Sequence, residues 1–288
     1  MRKFLKPAVF VAATFVAAGA ISETAGAIAY SDPSAVAEAP GGVVGIHNSA
    51  IMRLEPWNRF CTGVVIGRRW VLTAAHCVDQ AGGTRGLSIG VPRGEVIDPY
   101  AISTIFIHPK FPRGENLTMK EIGMGYDIAL VRTKVAMRHV QPLAPSKTWV
   151  GSSGRYVVYG YGLDENWVDN FALGGREVFL ADHLAGELTV NPGRQFAAIG
   201  TYEHTETGPD GEAISKTVYD GIARQGDSGG PVILYTDEGA IEIAGIVSYG
   251  YVSGGSYPVV YTKVSRFAEW IANTMRTASS KMSETRGY

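Results

Sequence analysis

The chain has 288 residues, of which 45% are hydrophobic and 18% are charged, with only two cysteines. This composition excludes a disordered tail and a disulfide-dense miniprotein, because it carries enough apolar surface to bury a sizeable core. The 26 basic and 27 acidic residues leave a formal net charge of −1, so no overall field would attract nucleic acid or an anionic membrane. The 36 glycines exceed the usual frequency of about 7% and favour turns and short strands. We therefore expect a mostly β protein with no nucleic-acid partner.

The first 27 residues are typical of an export signal. A basic start precedes an apolar run over residues 8–21, and Ala25-Gly26-Ala27 gives the small-x-small pattern that signal peptidase cuts. A membrane anchor is the alternative, but the run is shorter than the roughly 20 residues of a spanning helix. We expect a secreted, extracellular protein without membrane attachment once the signal is removed, in a compartment where disulfides persist.

The segment that follows predicts a short propeptide. Residues 28–42 are rich in Ala, Pro, Gly and Ser and contain no Lys or Arg. On this interpretation the folded domain covers residues 43–288 and begins at Val43.

Short apolar runs separated by turn residues then predict strands. They lie at 62–66, 70–73, 101–107, 128–131, 155–159, 232–235, 241–249 and 259–263. Such spacing is typical of a β-sandwich or barrel. More polar stretches at 109–126, 163–175 and 203–216 predict long surface loops, the first of which contains the N-glycosylation pattern Asn116-Leu117-Thr118.

One helix is predicted at the end of the chain. Ser265 is placed to cap it, and Phe267, Trp270, Ile271 and Met275 recur at helical spacing. The apolar stripe indicates a helix that packs on the core.

Three short motifs carry side chains suited to catalysis. His76 follows an apolar strand, Asp127 precedes another, and Ser228 lies within Gly226-Asp227-Ser228-Gly229-Gly230. The glycines around Ser228 let backbone N–H groups approach a reacting carbonyl closely.

In their order along the chain, these motifs resemble those of the trypsin/chymotrypsin-like serine proteases. The resemblance covers Val43 to the terminal helix. It implies an all-β fold of two six-stranded antiparallel β-barrels, at about 43–150 and 151–277, with a C-terminal α-helix. It also implies a monomeric serine endopeptidase that acts on proteins or peptides, binds protein inhibitors, and uses no cofactor or metal.

The resemblance assigns a role to each motif residue. Ser228 is the nucleophile, His76 the general base and then acid, and Asp127 the partner that fixes the imidazole tautomer. The backbone N–H groups of Gly226 and Ser228 form the oxyanion hole.

Two other functions compete with this interpretation. A catalytically silent module on the same fold would bind peptides or surfaces without turnover. An α/β-hydrolase esterase would need the order Ser, Asp, His, whereas Ser228 comes last here, so the Gly-x-Ser-x-Gly match around it is coincidental.

Cys61 and Cys77 match the family disulfide that holds the histidine loop. Closing a loop of this size stabilises a fold by about 3 kcal/mol in the chain-entropy model. Two free thiols are the alternative, and the absence of Cys-x-x-Cys and His-x-x-x-His pairs disfavours a metal site.

Ile222 stands at the position that resembles the floor of the specificity pocket. Isoleucine offers no negative charge, so cleavage after Arg or Lys is disfavoured, and the branched side chain of Val259 is expected to shorten the pocket. The other residues that the resemblance assigns to substrate binding are Ala223, Gln225, Ser248, Tyr249 and Gly250. These residues predict a preference for small or medium apolar side chains before the scissile bond, the alternative being that they pack beneath a rearranged pocket.

Val43-Val44-Gly45 resembles the new N-terminus that family zymogens release. Its α-amine would pair with Asp227 and order the oxyanion hole and the pocket. Ile46 departs from the pattern, because it replaces the usual second glycine.

Overall fold

The computed structural model describes thirteen parts of the chain. They are residues 28–48, 59–79, 84, 86–93, 96–113, 117–149, 151, 153–163, 166, 172–182, 190–220, 222–250 and 258–284. The predicted signal at 1–27 and the predicted glycosylation site Asn116 lie outside these ranges. Among the helices within them, none is long and apolar enough to cross a membrane.

Six antiparallel strands close the first barrel. They are β1 (Val43–Asn48), β2 (Arg59–Gly67), β3 (Trp70–Thr73), β4 (Leu87–Arg93), β5 (Val96–Ile107) and β6 (Ala129–Thr133), in the order β1-β2-β3-β6-β5-β4. Strand β4 pairs with β1 and closes the ring. Fully buried aliphatic side chains fill it, among them Ile46, Leu72 and Leu130. Such β-branched and aliphatic residues pack well on a pleated surface, which explains the short apolar runs in the sequence.

The second barrel is built from the C-terminal half of the chain. Its strands are β8 (Arg155–Gly160), β9 (Gly174–Leu180), β10 (Gln195–Thr207), β12 (Pro231–Tyr235), β13 (Ile241–Gly250) and β14 (Val259–Lys263). They pair in the order β10-β14-β13-β12-β8-β9, and β9 pairs with β10 to close the ring. Strand β7 (Ala144–Pro145) pairs with β13, and β11 (Ala213–Asp220) pairs with β10. The two predicted six-stranded barrels are confirmed.

The described helices are short except for the last. They are α1 (Pro33–Ala37), α2 (His76–Asp79), α3 (Met119–Ile122) and α4 (Ala268–Glu284), the last preceded by a 3-10 turn over Val264–Phe267. Phe267 and Ile271 are buried in a core cluster that contains residues of both barrels, which confirms the predicted apolar stripe. Ser265 lies inside the 3-10 turn, so it does not cap α4 as predicted.

The stretch 203–216 was predicted as a loop, and this is wrong for most of its length. It lies in the hairpin of β10 and β11, which is largely exposed and polar on both faces. Polar cross-strand contacts stabilise it, since the hydroxyls of Ser215 and Thr217 donate to Glu203 and Lys216 pairs with Glu206. A strand without a buried face lacks the apolar alternation by which strands are recognised in sequence.

Residues 28–42 are packed into the fold. Ile28 and Ala29 are fully buried, and the hydroxyl of Tyr159 donates to the carbonyl of Ala35 over 3.0 Å. Val43 opens β1 within a continuous chain, where the N–H of Val65 donates to the carbonyl of Gly42. Removing residues 28–42 would expose buried surface of the second barrel, and cleavage after Gly42 stays a prediction.

Candidate active site

The sheet register brings His76 and Asp127 together. Thr73 at the end of β3 pairs with Ala129 at the start of β6, so the residues just beyond these strand ends are neighbours. His76 Nδ1 lies 2.8 Å from Asp127 Oδ2, and the backbone N–H of His76 donates to Asp127 Oδ1 over 3.0 Å. Asp127 is fully buried, whereas the His76 side chain is 24% exposed. One edge of the imidazole is therefore fixed while the ring stays accessible.

The second barrel supplies further partners of Asp127. The Ser248 hydroxyl donates to Asp127 Oδ2 over 2.6 Å, and the Thr262 hydroxyl donates to the backbone carbonyl of Asp127 over 3.0 Å. Ser248 was predicted only as part of the substrate-binding wall, and its contact with Asp127 was missed. The available signal was a hydroxyl within the apolar run 241–249, since such a group needs a hydrogen-bond partner when the strand is buried.

Burial and charge act against each other in this pair. Burial by itself would lower the pKa of His76, but the negative charge and hydrogen bond of Asp127 leave that pKa raised. Burial would raise the pKa of Asp127, but the charge of His76 and the hydrogen bonds from His76 and Ser248 leave that pKa lowered. The geometry thus favours an ionised Asp127 beside a histidine that is readily protonated.

The loop of Ser228 is held against the first barrel. The Thr62 N–H donates to the carbonyl of Ser228 over 2.8 Å, and the Thr62 hydroxyl donates to the carbonyl of Gly226 over 2.8 Å. Gly226 has a φ of +98°, and a Cβ on it would lie 2.8 Å from Gly162 Cα, so glycine is required there. Ser228 itself is partly exposed at the meeting of the two barrels.

The predicted disulfide is present and joins these parts. Cys61 and Cys77 are bonded, with their Cα atoms 6.1 Å apart, and so connect β2 to the helical turn that begins with His76. Cys77 Sγ also lies 3.5 Å from the carbonyl oxygen of Ser228. His76 Nε2 lies 3.7 Å from the same sulfur atom, so the disulfide is close to both the imidazole and the backbone of Ser228.

Within the described part of the chain, one group of side chains has the types and spacing that could bind a metal ion. Cys61, His76 and Cys77 group closely, but both sulfur atoms are in the disulfide and neither is available as a thiolate ligand. The group therefore does not resemble a zinc site.

The carboxylate of Asp227 lies against Gly160 and Gly162, at the end of the second-barrel strand β8. The carboxylate is fully buried and accepts hydrogen bonds from the N–H groups of Gly162, over 2.7 Å, and Arg224, over 2.8 Å. A Cβ on Gly162 would lie 2.6 Å from the Asp227 carboxyl carbon, so the close approach depends on that glycine. The contacts fix the turn on which Gly226 and Ser228 lie.

The structure brings together several of the residues predicted to bind substrate. Ile222 and Val259 are buried in one apolar cluster, and Gly250 pairs with Val259 between β13 and β14. Burial, followed by the negative charge of Asp127, raises the pKa of Tyr249 to about 12. Ala223 is partly buried next to the cluster.

Gln225 stands apart from this apolar group. It is exposed at the edge of the serine loop, whereas Ile222 is buried. The predicted substrate-binding residues therefore divide into a buried apolar set and one exposed amide.

Known proteins resemble both the sequence and the fold. A family model described as Trypsin matches residues 41–174 and 199–271. Phenoloxidase-activating enzyme 1 of Spodoptera litura is 27% identical over 248 residues, which cover 76% of this chain and 60% of that protein. Lectizyme of Glossina austeni is 28% identical over 228 residues, covering 75% and 77%. Coagulation factor XI of Bos taurus is 30% identical over 226 residues, covering 73% of this chain but only 32% of that longer protein.

A solved structure supports the same fold. Neuropsin, a serine protease expressed in the limbic system of mouse brain, superposes with a TM-score of 0.59 at 23% sequence identity. The match covers 82% of this chain and 95% of neuropsin. Because the Trypsin family model spans well over half of the chain, the protein belongs to the trypsin family of serine proteases.

Proposed function

We propose that this chain is a secreted serine endopeptidase in which His76, Asp127 and Ser228 form the catalytic triad. The observation that carries the proposal is the 2.8 Å contact between His76 Nδ1 and the fully buried carboxylate of Asp127, beside the anchored loop of Ser228. A buried carboxylate on Nδ1 leaves Nε2 as the nitrogen that can accept a proton.

The reaction follows from that assignment. Ser228 Oγ attacks the peptide carbonyl carbon while His76 Nε2 takes the hydroxyl proton, and the carbonyl π electrons move onto its oxygen. The tetrahedral intermediate collapses as the C–N bond breaks and His76 gives its proton to the leaving amine. Water, deprotonated by His76, then attacks the acyl-enzyme and releases the carboxylic acid and Ser228. Asp127 remains ionised and stabilises the imidazolium at each stage.

The oxyanion is assigned to the backbone N–H groups of Gly226 and Ser228. Within the described part of the chain, neither group donates to a backbone carbonyl, so both remain available to a substrate oxygen. A donor of this kind contributes about 3 to 4 kcal/mol to transition-state stabilisation.

The proposed substrates are proteins or peptides with a small or medium apolar residue before the scissile bond. Ile222 and Val259 supply apolar volume and no charge, so a Lys or Arg side chain buried against them would lack a counter-ion. Profiling cleavage in a peptide library tests this preference, and dominant cutting after Arg or Lys would contradict it.

Covalent labelling tests the proposed activity directly. The secreted protein and a Ser228→Ala variant are treated with a fluorophosphonate and compared by intact mass. We expect one adduct on the wild type and none on the variant, because only an activated serine reacts. A correctly processed, folded wild type without an adduct would instead indicate a silent binding module.

A further inference from the structure

A groove lies between the first barrel and the second half of α4. Its volume of about 610 Å³ is typical of sites that bind small molecules. Strands β5 and β6 form the barrel side, where Thr104 pairs with Arg132, and Asn273 and Thr277 contribute from the helix. None of the described residues that line the groove belongs to the proposed active site. The groove is therefore a separate cavity of the same protein.

The helix leaves this space because its inward face changes from large to small side chains. Phe267 and Ile271 are buried in the core, and the same helical stripe continues with Thr274 and Ala278. The two short side chains do not fill the distance to the barrel as the two large ones do. The second half of α4 thus leaves a gap in an otherwise close-packed contact.

Two arginines give the groove a positive charge. The guanidinium of Arg69 is fixed by hydrogen bonds from Nε and Nη2 to the carbonyl of Thr133, over 2.9 and 2.8 Å, and from Nη2 to the carbonyl of Lys134, over 2.6 Å. The guanidinium carbon of Arg132, a residue that is only 8% exposed, lies 5.5 Å from the centroid of the Trp70 ring. Neutral carbonyls and an aromatic ring orient a guanidinium without cancelling its charge. Among the described residues that line the groove, none is acidic.

Apolar surface lies beside these arginines. Phe106 on β5 is partly buried, and its ring centroid lies 5.6 Å from that of Trp70. Phe106 lines the groove from the barrel and Ala278 lines it from the helix, and both are packed against the core. A ligand that fits between them gains free energy from the burial of its apolar atoms.

We propose that the groove binds a small organic anion with one carboxylate, sulfate or sulfonate head group and an apolar body. The planar guanidinium groups of Arg69 and Arg132 suit such a head group, because each can donate two parallel hydrogen bonds to paired oxygens. Phe106 and Ala278 suit the body. Two cations in a concave site match one head group, whereas an extended polyanion is bound by a longer patch or stripe of cations. This inference is independent of the proposed protease function.

The test is a fluorescence titration with anilinonaphthalene sulfonate, a probe with one sulfonate and an aromatic body. We expect one saturable site per folded chain. Thr277→Glu places a negative charge at the exposed edge of the groove and repels the sulfonate, so the Kd should rise about tenfold. Ala272→Glu is the matched control, because it adds the same charge at an exposed position of the same helix outside the groove. This variant should bind the probe as the parent does.

Folding and the role of the head group are checked independently. Thermal unfolding establishes that each variant is folded, since this probe also binds the exposed apolar surface of partly folded states. If Thr277→Glu does not fold, Asn273→Glu supplies the same charge and keeps an oxygen for its contact with Arg276. Octanoate should displace the probe, whereas the neutral octanamide, with the same chain, should not do so at the same concentration.

Fluorophosphonate labelling of Ser228 separates the groove from the proposed active site. The Kd of the probe should be the same before and after labelling. Loss of binding after labelling would place the probe beside Ser228 and overturn the inference. Failure to label, with the probe bound as expected, would overturn the protease assignment and leave the inference intact.

Three other results would also overturn the inference. One is the absence of a saturable site on the folded parent. Another is equal affinity of the parent, the folded groove variant and Ala272→Glu, since the probe would then bind elsewhere. The third is equal displacement by octanoate and octanamide, which would show that the groove does not select a negative charge.

Discussion

The proposed acid–base pair and the proposed substrate pocket are stabilised by different kinds of contact. Asp127 is bound by the side chain and backbone of His76 and by Ser248, all through hydrogen bonds of 2.6 to 3.0 Å. Ile222 and Val259 are positioned by apolar packing in a cluster that also includes Ile28. Hydrogen bonds fix the orientation of the bonded side chains, whereas apolar packing is not directional and chiefly determines the volume of the pocket.

This difference affects how each region responds to substitution. Removing one partner from the polar network leaves another polar group unpaired, so the loss is large and specific. Removing methyl groups from the apolar cluster changes the size of a space that neighbouring side chains can partly refill. The pair is therefore expected to be intolerant of change, while the pocket is expected to change its preference gradually.

The largest effect is expected from Asp127→Asn. The amide keeps the shape of the carboxylate but favours the wrong imidazole tautomer, so kcat should fall by about 10⁴-fold, as is typical of a triad aspartate. Peptide hydrolysis under saturating substrate measures it. Asp98→Asn is a suitable control, because Asp98 pairs with the exposed Arg93 away from the site. A loss below tenfold at Asp127 would remove it from the triad.

Ser248→Ala should have the next largest effect. It removes a hydrogen bond to a charged group, and such bonds contribute about 1.5 to 3 kcal/mol, so kcat/KM should fall between about tenfold and a hundredfold. Ser146→Ala is the matched control, since Ser146 is also buried but donates to the carbonyl of Thr148. Unchanged kinetics of Ser248→Ala would show that this bond does not position Asp127.

Val259→Ala tests whether Val259 limits the size of the proposed substrate pocket. A smaller side chain enlarges the space, so the ratio of kcat/KM for Leu over Ala before the scissile bond should rise by about tenfold. Val260→Ala in the same strand is the control: Val260 is equally buried, yet it lies outside the cluster that contains Ile222. A similar change of preference in both variants would indicate general loosening of the strand.

The pH dependence of activity should be the smallest effect. The pKa of His76 is raised in the folded protein, so the midpoint at which kcat/KM rises with pH should lie above the ordinary histidine value of about 6.5. The stability that the folded protein gains from the ion pair of His76 and Asp127 is fully present below about pH 6.5. It is lost as the pH rises through the raised pKa of His76 in the folded protein.

A second variant sharpens the same measurement. In Asp127→Asn the negative charge is absent and burial alone remains, so the His76 pKa followed by the NMR signals of its ring should fall below about 6.5. A midpoint that does not respond to this substitution would show that another group controls the profile.

Much of this protein was predictable from local pattern. The strands over Trp70–Thr73 and Val259–Lys263 agree with the predicted bounds, because buried strands are short apolar runs between turn residues. Strands β1, β4 and β9 were not predicted, and most of the β10–β11 hairpin was taken for a loop, since its side chains are polar on both faces.

Part of the proposed active site was likewise predictable from the sequence, and part was not. The motifs around His76, Asp127 and Ser228 could be recognised from the chain order and the residue types. Reactive side chains are rare, and Gly226 and Gly229 beside Ser228 have positive φ angles that favour glycine. The hydrogen bond between Ser248 and Asp127 could not be predicted from the sequence, because it joins residues 121 positions apart on different barrels.

The sequence pattern by itself predicted a mostly β protein, and the resemblance of its motifs to the trypsin/chymotrypsin-like family implied the two barrels, the disulfide and the residues proposed for catalysis. Only the tertiary structure decided that residues 28–42 belong to the fold and that Ile28 lies against Ile222. A segment rich in Ala, Pro and Gly has no periodicity that reveals burial, because its place in the core depends on the complementary surface that β9 and Ile222 provide.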